Sequence, residues 1–196
     1  MVSNRQLEER AARKERILDA ALEVFSRIGI EGSTMNEIAA EAGFGKASLY
    51  YYFPSKEEVF QAILERGWMR LLESIESVVI GNDTPRNKFI KLLNAIADQV
   101  KLNRTLYEFL FIVPKSIPVE SIRNGSWKTY QNRLYATLHG ILEDGVAIGD
   151  FVDIQPDLLM RAIGGIFHSL IFPGDAQSSI SDTDLDTVLS KFLHPK

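Results

Sequence analysis

The 196-residue sequence has no cysteine. Disulfides and thiolate-held metal are thereby excluded, and a reducing cytoplasm is the expected compartment. No apolar run approaches the roughly 20 residues of a membrane-spanning helix, and the charged N-terminus lacks the apolar core of a signal peptide. No repeat or low-complexity tract occurs, and no stretch alternates apolar and polar residues as a strand would. Nucleophile-elbow, phosphate-loop and zinc motifs are also missing, and the carboxylates scatter over faces that read as solvated. No two histidines stand at ligand spacing, and His139 and His168 read as core residues. The expectation is a protein that is not an enzyme and carries no cofactor and no metal.

An excess of positive charge is missing too. The chain is acidic at −4, and residues 1–56 balance eight Lys/Arg against eight Asp/Glu. A role in binding nucleic acid must therefore rest on where single cations sit. Arg5, Arg10, Arg13, Lys14 and Arg16 cluster near the N-terminus, but Glu8, Glu9 and Glu15 are interleaved, so the arm reads mostly as a solvated helix face. With 45% hydrophobic and 24% charged residues, the composition is that of a soluble globular protein.

What is present centres on the stretch from Thr34 to Glu58. Thr34 and Glu37 have the spacing of a capping box, and Ile38, Ala39 and Ala42 fall on one helical face. Gly43 stands where that helix must end, because glycine adopts a left-handed conformation at little steric cost. A second helix starts near Gly45 and buries Leu49, Tyr52 and Phe53. Pro54 bars its continuation, and Ser55 with Glu58 caps the next helix. Small Ala39, Gly43 and the anchor Leu49 suit two helices crossing steeply over a short turn. The second helix then presents Lys46, Ala47, Ser48, Tyr50 and Tyr51. Small residues near its start allow approach to a groove floor, and Lys46 can reach a phosphate or a guanine edge. Lys56 lies beside free helix-start amides, where a phosphate would be welcome.

Around this stretch the pattern is helical throughout. A first helix from about residue 6 to Ile28 carries the stripe Ile17, Ala21, Val24, Phe25 and Ile28 and ends at Gly29. A long helix from Lys56 to Val79 has an apolar stripe too wide for a surface helix, including Val78 and Val79, and links a small N-terminal unit to a larger body. Helices follow near 85–102, 104–113 and 126–148, with an irregular segment at 114–126 between the last two. The next, 156–172, is apolar nearly all round, which means burial either centrally in the body or against another subunit. A last helix is expected near 182–193. The fold class is all-α.

From Ile17 to Glu57, the residues Ile17, Ala20, Ala21, Phe25, Gly29, Thr34, Ile38, Ala39, Ala42, Gly43, Leu49, Tyr50, Tyr52, Phe53, Lys56 and Glu57 resemble the DNA-binding domain of the TetR/AcrR family of transcriptional regulators. The rest of the chain is similar to that family only in being helical and in its helix order. The resemblance implies a helix-turn-helix domain at 1–55 and an effector-binding and dimerisation domain at 56–196. It implies a homodimer on a partly palindromic duplex operator, released by a small-molecule effector. It assigns phosphate to Thr34, Tyr52 and Lys56, the groove-facing start of the recognition helix to Lys46, Ala47 and Ser48, and bases or backbone to Tyr50 and Tyr51. Gly45 departs from the serine or threonine often found there, Ala47 from glycine and Tyr51 from histidine, so base preference does not transfer.

The apolar and aromatic candidates for an effector wall are Trp68, Leu72, Phe89, Leu93, Tyr107, Phe111, Trp127, Tyr130, Leu134 and Phe167, which suit a small, largely hydrophobic molecule. A four-helix dimer interface, also implied, would use Leu158, Ala162, Gly165, Ile166 and Ser169 with Leu185, Val188, Leu189 and Phe192. The alternative reading is a helical small-molecule carrier or protein-interaction module without specific DNA binding.

Overall fold

The computed structural model describes residues 3–112, 125–171 and Thr187. Its elements are α1 (Asn4–Gly32), α2 (Met35–Ala42), α3 (Lys46–Tyr52), α4 (Lys56–Ile80), α5 (Pro85–Leu102), α6 (Arg104–Ile112), α7 (Trp127–Ala147) and α8 (Pro156–Ile171). The expected helix near 182–193 lies outside the described residues, as does most of the segment expected to be irregular. Among the described residues every regular element is a helix.

Two compact units emerge, and the division cuts through α4 at residue 68/69. One comprises residues 1–68 and 105–128, the other 69–104 and 129–196. In the first unit, α1 buries Ile17, Ala21, Val24 and Phe25, whereas Ile28, expected on the same stripe, is 41% exposed. Gly29, at φ 75°, breaks the helix one residue later, so the last turn of the stripe does not continue onto the core. Phe25 of α1, Phe60 of α4 and Phe109 of α6 form one aromatic cluster, with ring centroids 5.4 to 6.4 Å apart. A Cβ at Gly67 would fall 2.9 Å from Leu110 Cδ1, so the missing side chain is what lets α6 lie this close to α4.

The second unit buries Leu71, Leu72 and Ile75 of α4, the full expected α5 row (Phe89, Leu92, Leu93, Ile96, Ala97, Val100), and Leu134, Leu138, Ile141 and Leu142 of α7. At the far end of α4 the stripe gives out: Val78 is half-buried and Val79 exposed, not inward as the pattern suggests. α7 closes on Gly149, at φ 79°. The Gly149 amide donates to Val146 and that of Asp150 to Gly145, which satisfies two end carbonyls. Phe151 then folds back over Gly145 and meets Phe89 edge-on at 5.9 Å. On α8, Leu159 is buried, while Leu158 is 54% exposed and Ala162, Gly164 and Gly165 are exposed.

Candidate nucleic-acid interface

The interface begins with the cap of α2. Thr34 Oγ1 accepts from the Glu37 amide at 3.3 Å, and the Glu37 carboxylate accepts from the Thr34 amide and hydroxyl, each at 2.8 Å. Two helix-start donors are thus satisfied reciprocally, with Thr34 itself exposed. At the other end Gly43 adopts φ 69°, its amide bonding Ala40 while that of Phe44 bonds Ala39. This turn aims the chain directly into α3. Ala39 and Leu49, buried to 3% and 0% exposure, hold the two helices together.

Leu49 and Phe53 are buried as expected, but Tyr52 is only half-buried. Seven residues of α3 give two turns, and Tyr52 falls at the edge of the inward face. The outward face carries Lys46, Ala47, Tyr50 and Tyr51, all exposed, with Ser48 half-buried at its margin. Gly45 precedes the helix without a side-chain cap, so the first amides of α3 are left to solvent or to a bound anion. The Lys46 ammonium lies 5.9 Å from the Tyr50 ring, and the Tyr51 and Tyr52 rings meet edge-on at 5.2 Å.

Three cations of α1 brace this surface, and the sequence pattern did not mark them for it. Arg10 lies 5.5 Å from the Tyr51 ring centroid and Lys14 5.8 Å from that of Phe53. Arg16 lies 5.1 Å from the Phe44 ring and donates to the Ala42 carbonyl at 3.1 Å, placing a cation at the negative end of α2. The only signal for them in the sequence is their clustering on one helix, which a solvated face shares.

Lys56 does not present a free ammonium. Its Nζ donates to the carbonyls of Ile30 (2.8 Å), Ser33 (3.2 Å) and Glu31 (3.3 Å). A lysine has three N–H donors and no more, so the phosphate bond expected of it has no donor left in this arrangement.

Of the residues expected to line an effector site, Trp68, Tyr107, Phe111 and Trp127 belong to the first unit and the rest to the second. Trp68 meets Phe111 edge-on at 5.5 Å. Trp127 packs its indole against Gly125, and its Nε1 is buried without a hydrogen-bond partner among the described residues. Leu72, Phe89, Leu93, Tyr107 and Leu134 are buried and Tyr130 is half-buried; the Phe167 side chain lies outside what the structure describes. His139, expected in the core, instead sits between Glu143 (3.4 Å) and Asp157 (3.1 Å) with 31% of its side chain exposed. Of the expected interface residues, Leu185, Val188, Leu189 and Phe192 lie outside the described residues, as do the side chains of Ile166 and Ser169.

A short exposed helix, set by a left-handed glycine turn on a capped partner, defines a helix-turn-helix DNA-binding protein. The tetR family of bacterial regulatory proteins matches residues 17–63. The HTH-type transcriptional repressor SCO4008 of Streptomyces coelicolor is 30% identical over 165 residues, covering 83% of this chain and 80% of that one. The HTH-type transcriptional regulator YfiR of Bacillus subtilis is 29% identical over 189 residues, covering 89% and 87%. Among solved structures, AibR in complex with isovaleryl coenzyme A and operator DNA aligns with a TM-score of 0.77 at 18% identity, over 92% of this chain and 98% of that one. The chain belongs to the tetR family of bacterial transcriptional regulators.

Proposed function

We propose that the protein is a repressor that binds a two-fold related duplex operator as a homodimer and leaves it when a small, largely apolar effector binds the helical body. The observation that carries this reading is the outward row of α3, Lys46, Ala47, Tyr50 and Tyr51, exposed on a helix whose other side is anchored by Leu49. The similarity to the repressor SCO4008, and to AibR with its ligand and operator, supports it. In this reading residues 1–55 serve DNA and residues 56–196 serve effector and partner subunit, and the protein works in the cytoplasm.

Ala47 and Ser48 meet the groove floor, Lys46 at the start of the same helix reaches a phosphate at its edge, Tyr50 and Tyr51 meet bases or backbone, and Thr34 and Tyr52 meet phosphate. Thr34 turns its hydroxyl from Glu37 to the phosphate on binding. The buried indole N–H of Trp127 supports a ligand with a hydrogen-bond acceptor, since a buried donor without a partner costs free energy. The second subunit covers the stripe of Leu158, Ala162 and Gly165, spaced four and three residues apart and exposed in the single chain. The effector acts only to the extent that it prefers one arrangement of the body to the other.

The division between reading and holding is tested on an operator selected from random duplexes. Lys46→Ala should weaken binding to all sequences and flatten the dependence of log Kd on log salt by about 0.9 per phosphate lost. Tyr51→Ala should change the order of preference among operator variants. An equal loss on every sequence from Tyr51→Ala would remove it from the readers.

A further inference from the structure

The geometry assigns Lys56 a positioning role: its ammonium clamps the turn ahead of α2 to the first turn of α4, and so sets the helix-turn-helix for DNA without touching phosphate. This rests on the DNA-binding reading above and gives a single residue of it a different role. The turn in question runs from Ile30 to Ser33, directly before Thr34, the cap of α2. Its carbonyls converge. That of Ile30 accepts the Ser33 amide at 3.2 Å, the Ser33 hydroxyl at 2.7 Å and the Lys56 ammonium at 2.8 Å. Those of Glu31 and Ser33 accept the remaining two ammonium protons. Ile30 and Ser33 are buried, at 6% and 3% exposure.

Two features of the chain make a cation necessary here. The last turn of α1 has no basic residue of its own, although helix-end carbonyls favour one. Lys56 in turn occupies the first turn of α4, where the helix dipole disfavours positive charge and where Glu57 and Glu58 follow. A lysine at that place is explained by what its side chain reaches, 23 to 26 residues back along the chain. An ammonium suits three convergent carbonyls because its donors point in three directions. A guanidinium is a planar fork and does not. A phosphate oxygen needs only a nearby donor, which arginine supplies equally well.

That difference gives the test. Lys56→Met and Lys56→Arg are compared with wild type for operator affinity across a salt series, for the fraction of protein active in stoichiometric titration, and for amide hydrogen exchange without DNA. The clamp predicts that both variants bind at least several-fold more weakly, with an unchanged salt slope and a full active fraction, and that Lys56→Arg rescues nothing. Exchange should quicken over residues 31–38 in both variants. Wild-type affinity in Lys56→Arg, with a slope about 0.9 shallower in Lys56→Met alone, would identify a phosphate contact and overturn the proposal. Should Lys56→Met lose its helical circular dichroism, Lys56→Arg decides both points. The exchange measurement stands without DNA: if wild type binds no duplex, the DNA-binding reading fails while accelerated exchange at 31–38 still reports the clamp. Unchanged exchange in both variants would also overturn it.

Discussion

Gly43 carries a constraint that no neighbour can take over. Its φ of 69° is required for the Ala40 and Ala39 carbonyls to be satisfied as α2 ends, and the same turn sets the direction of α3. An alanine there would hold a left-handed conformation, at about 1–2 kcal/mol, and its Cβ would stand 3.1 Å from Arg16 Nη2, the group that caps Ala42. Gly43→Ala should therefore lower stability by about 1–2 kcal/mol in urea unfolding and weaken operator binding beyond that, because α3 would be re-aimed. Undiminished operator affinity would show that the turn tolerates other geometries. Tyr51 is constrained differently. It is 68% exposed, yet its ring meets both the Arg10 guanidinium and the Tyr52 ring, so its freedom in solution is smaller than its exposure suggests.

Between elements, Arg66 adds a charged tie of α4 to α1 beside the Phe25–Phe60 contact. Its side chain is 4% exposed, and Nη1 donates to Asp19 at 2.7 Å and to Glu15 at 3.1 Å, while Nε and Nη2 have no partner among the described residues. Removing both carboxylates strands a buried guanidinium. The double variant Glu15→Ala, Asp19→Ala should cost roughly 2–4 kcal/mol, towards the lower part of the range for a broken buried pair because both carboxylates still meet solvent. The measurement is the urea midpoint at constant slope, and a change under about 0.5 kcal/mol, the ordinary scatter of surface substitutions, would mean that water already serves Arg66. Local signals in the sequence reached as far as single elements and stopped there. The Thr34–Glu37 cap, the Gly43 stop, the Ser55 start of α4 and the apolar row of α5 were legible because each rests on residues close together along the chain. Arg16, Lys56 and Arg66 were not, since their partners lie 23 to 51 residues away. A lysine at a helix start looks the same whether it faces phosphate or carbonyls. Ile28 and Val79 failed for another reason: helical spacing continues past the point where the packing partner ends.

At the scale of the whole molecule, an acidic chain of net charge −4 binds a polyanion only through placement. Lys46 on α3 and Arg10, Lys14 and Arg16 on α1, the last three set against the rings of Tyr51, Phe53 and Phe44, gather on one unit. Binding should accordingly depend on sequence, with a salt slope set by these few cations, rather than being the broad attraction of a basic protein. Two such units become a reader of a two-fold operator only in a dimer. The most direct test of the account is selection from random duplexes by the purified protein, with the stoichiometry determined on the enriched sequence. The account predicts a two-fold-symmetric site occupied by one or two dimers. Only weak, salt-sensitive binding with no enriched sequence, from protein verified to be free of bound ligand, would contradict it.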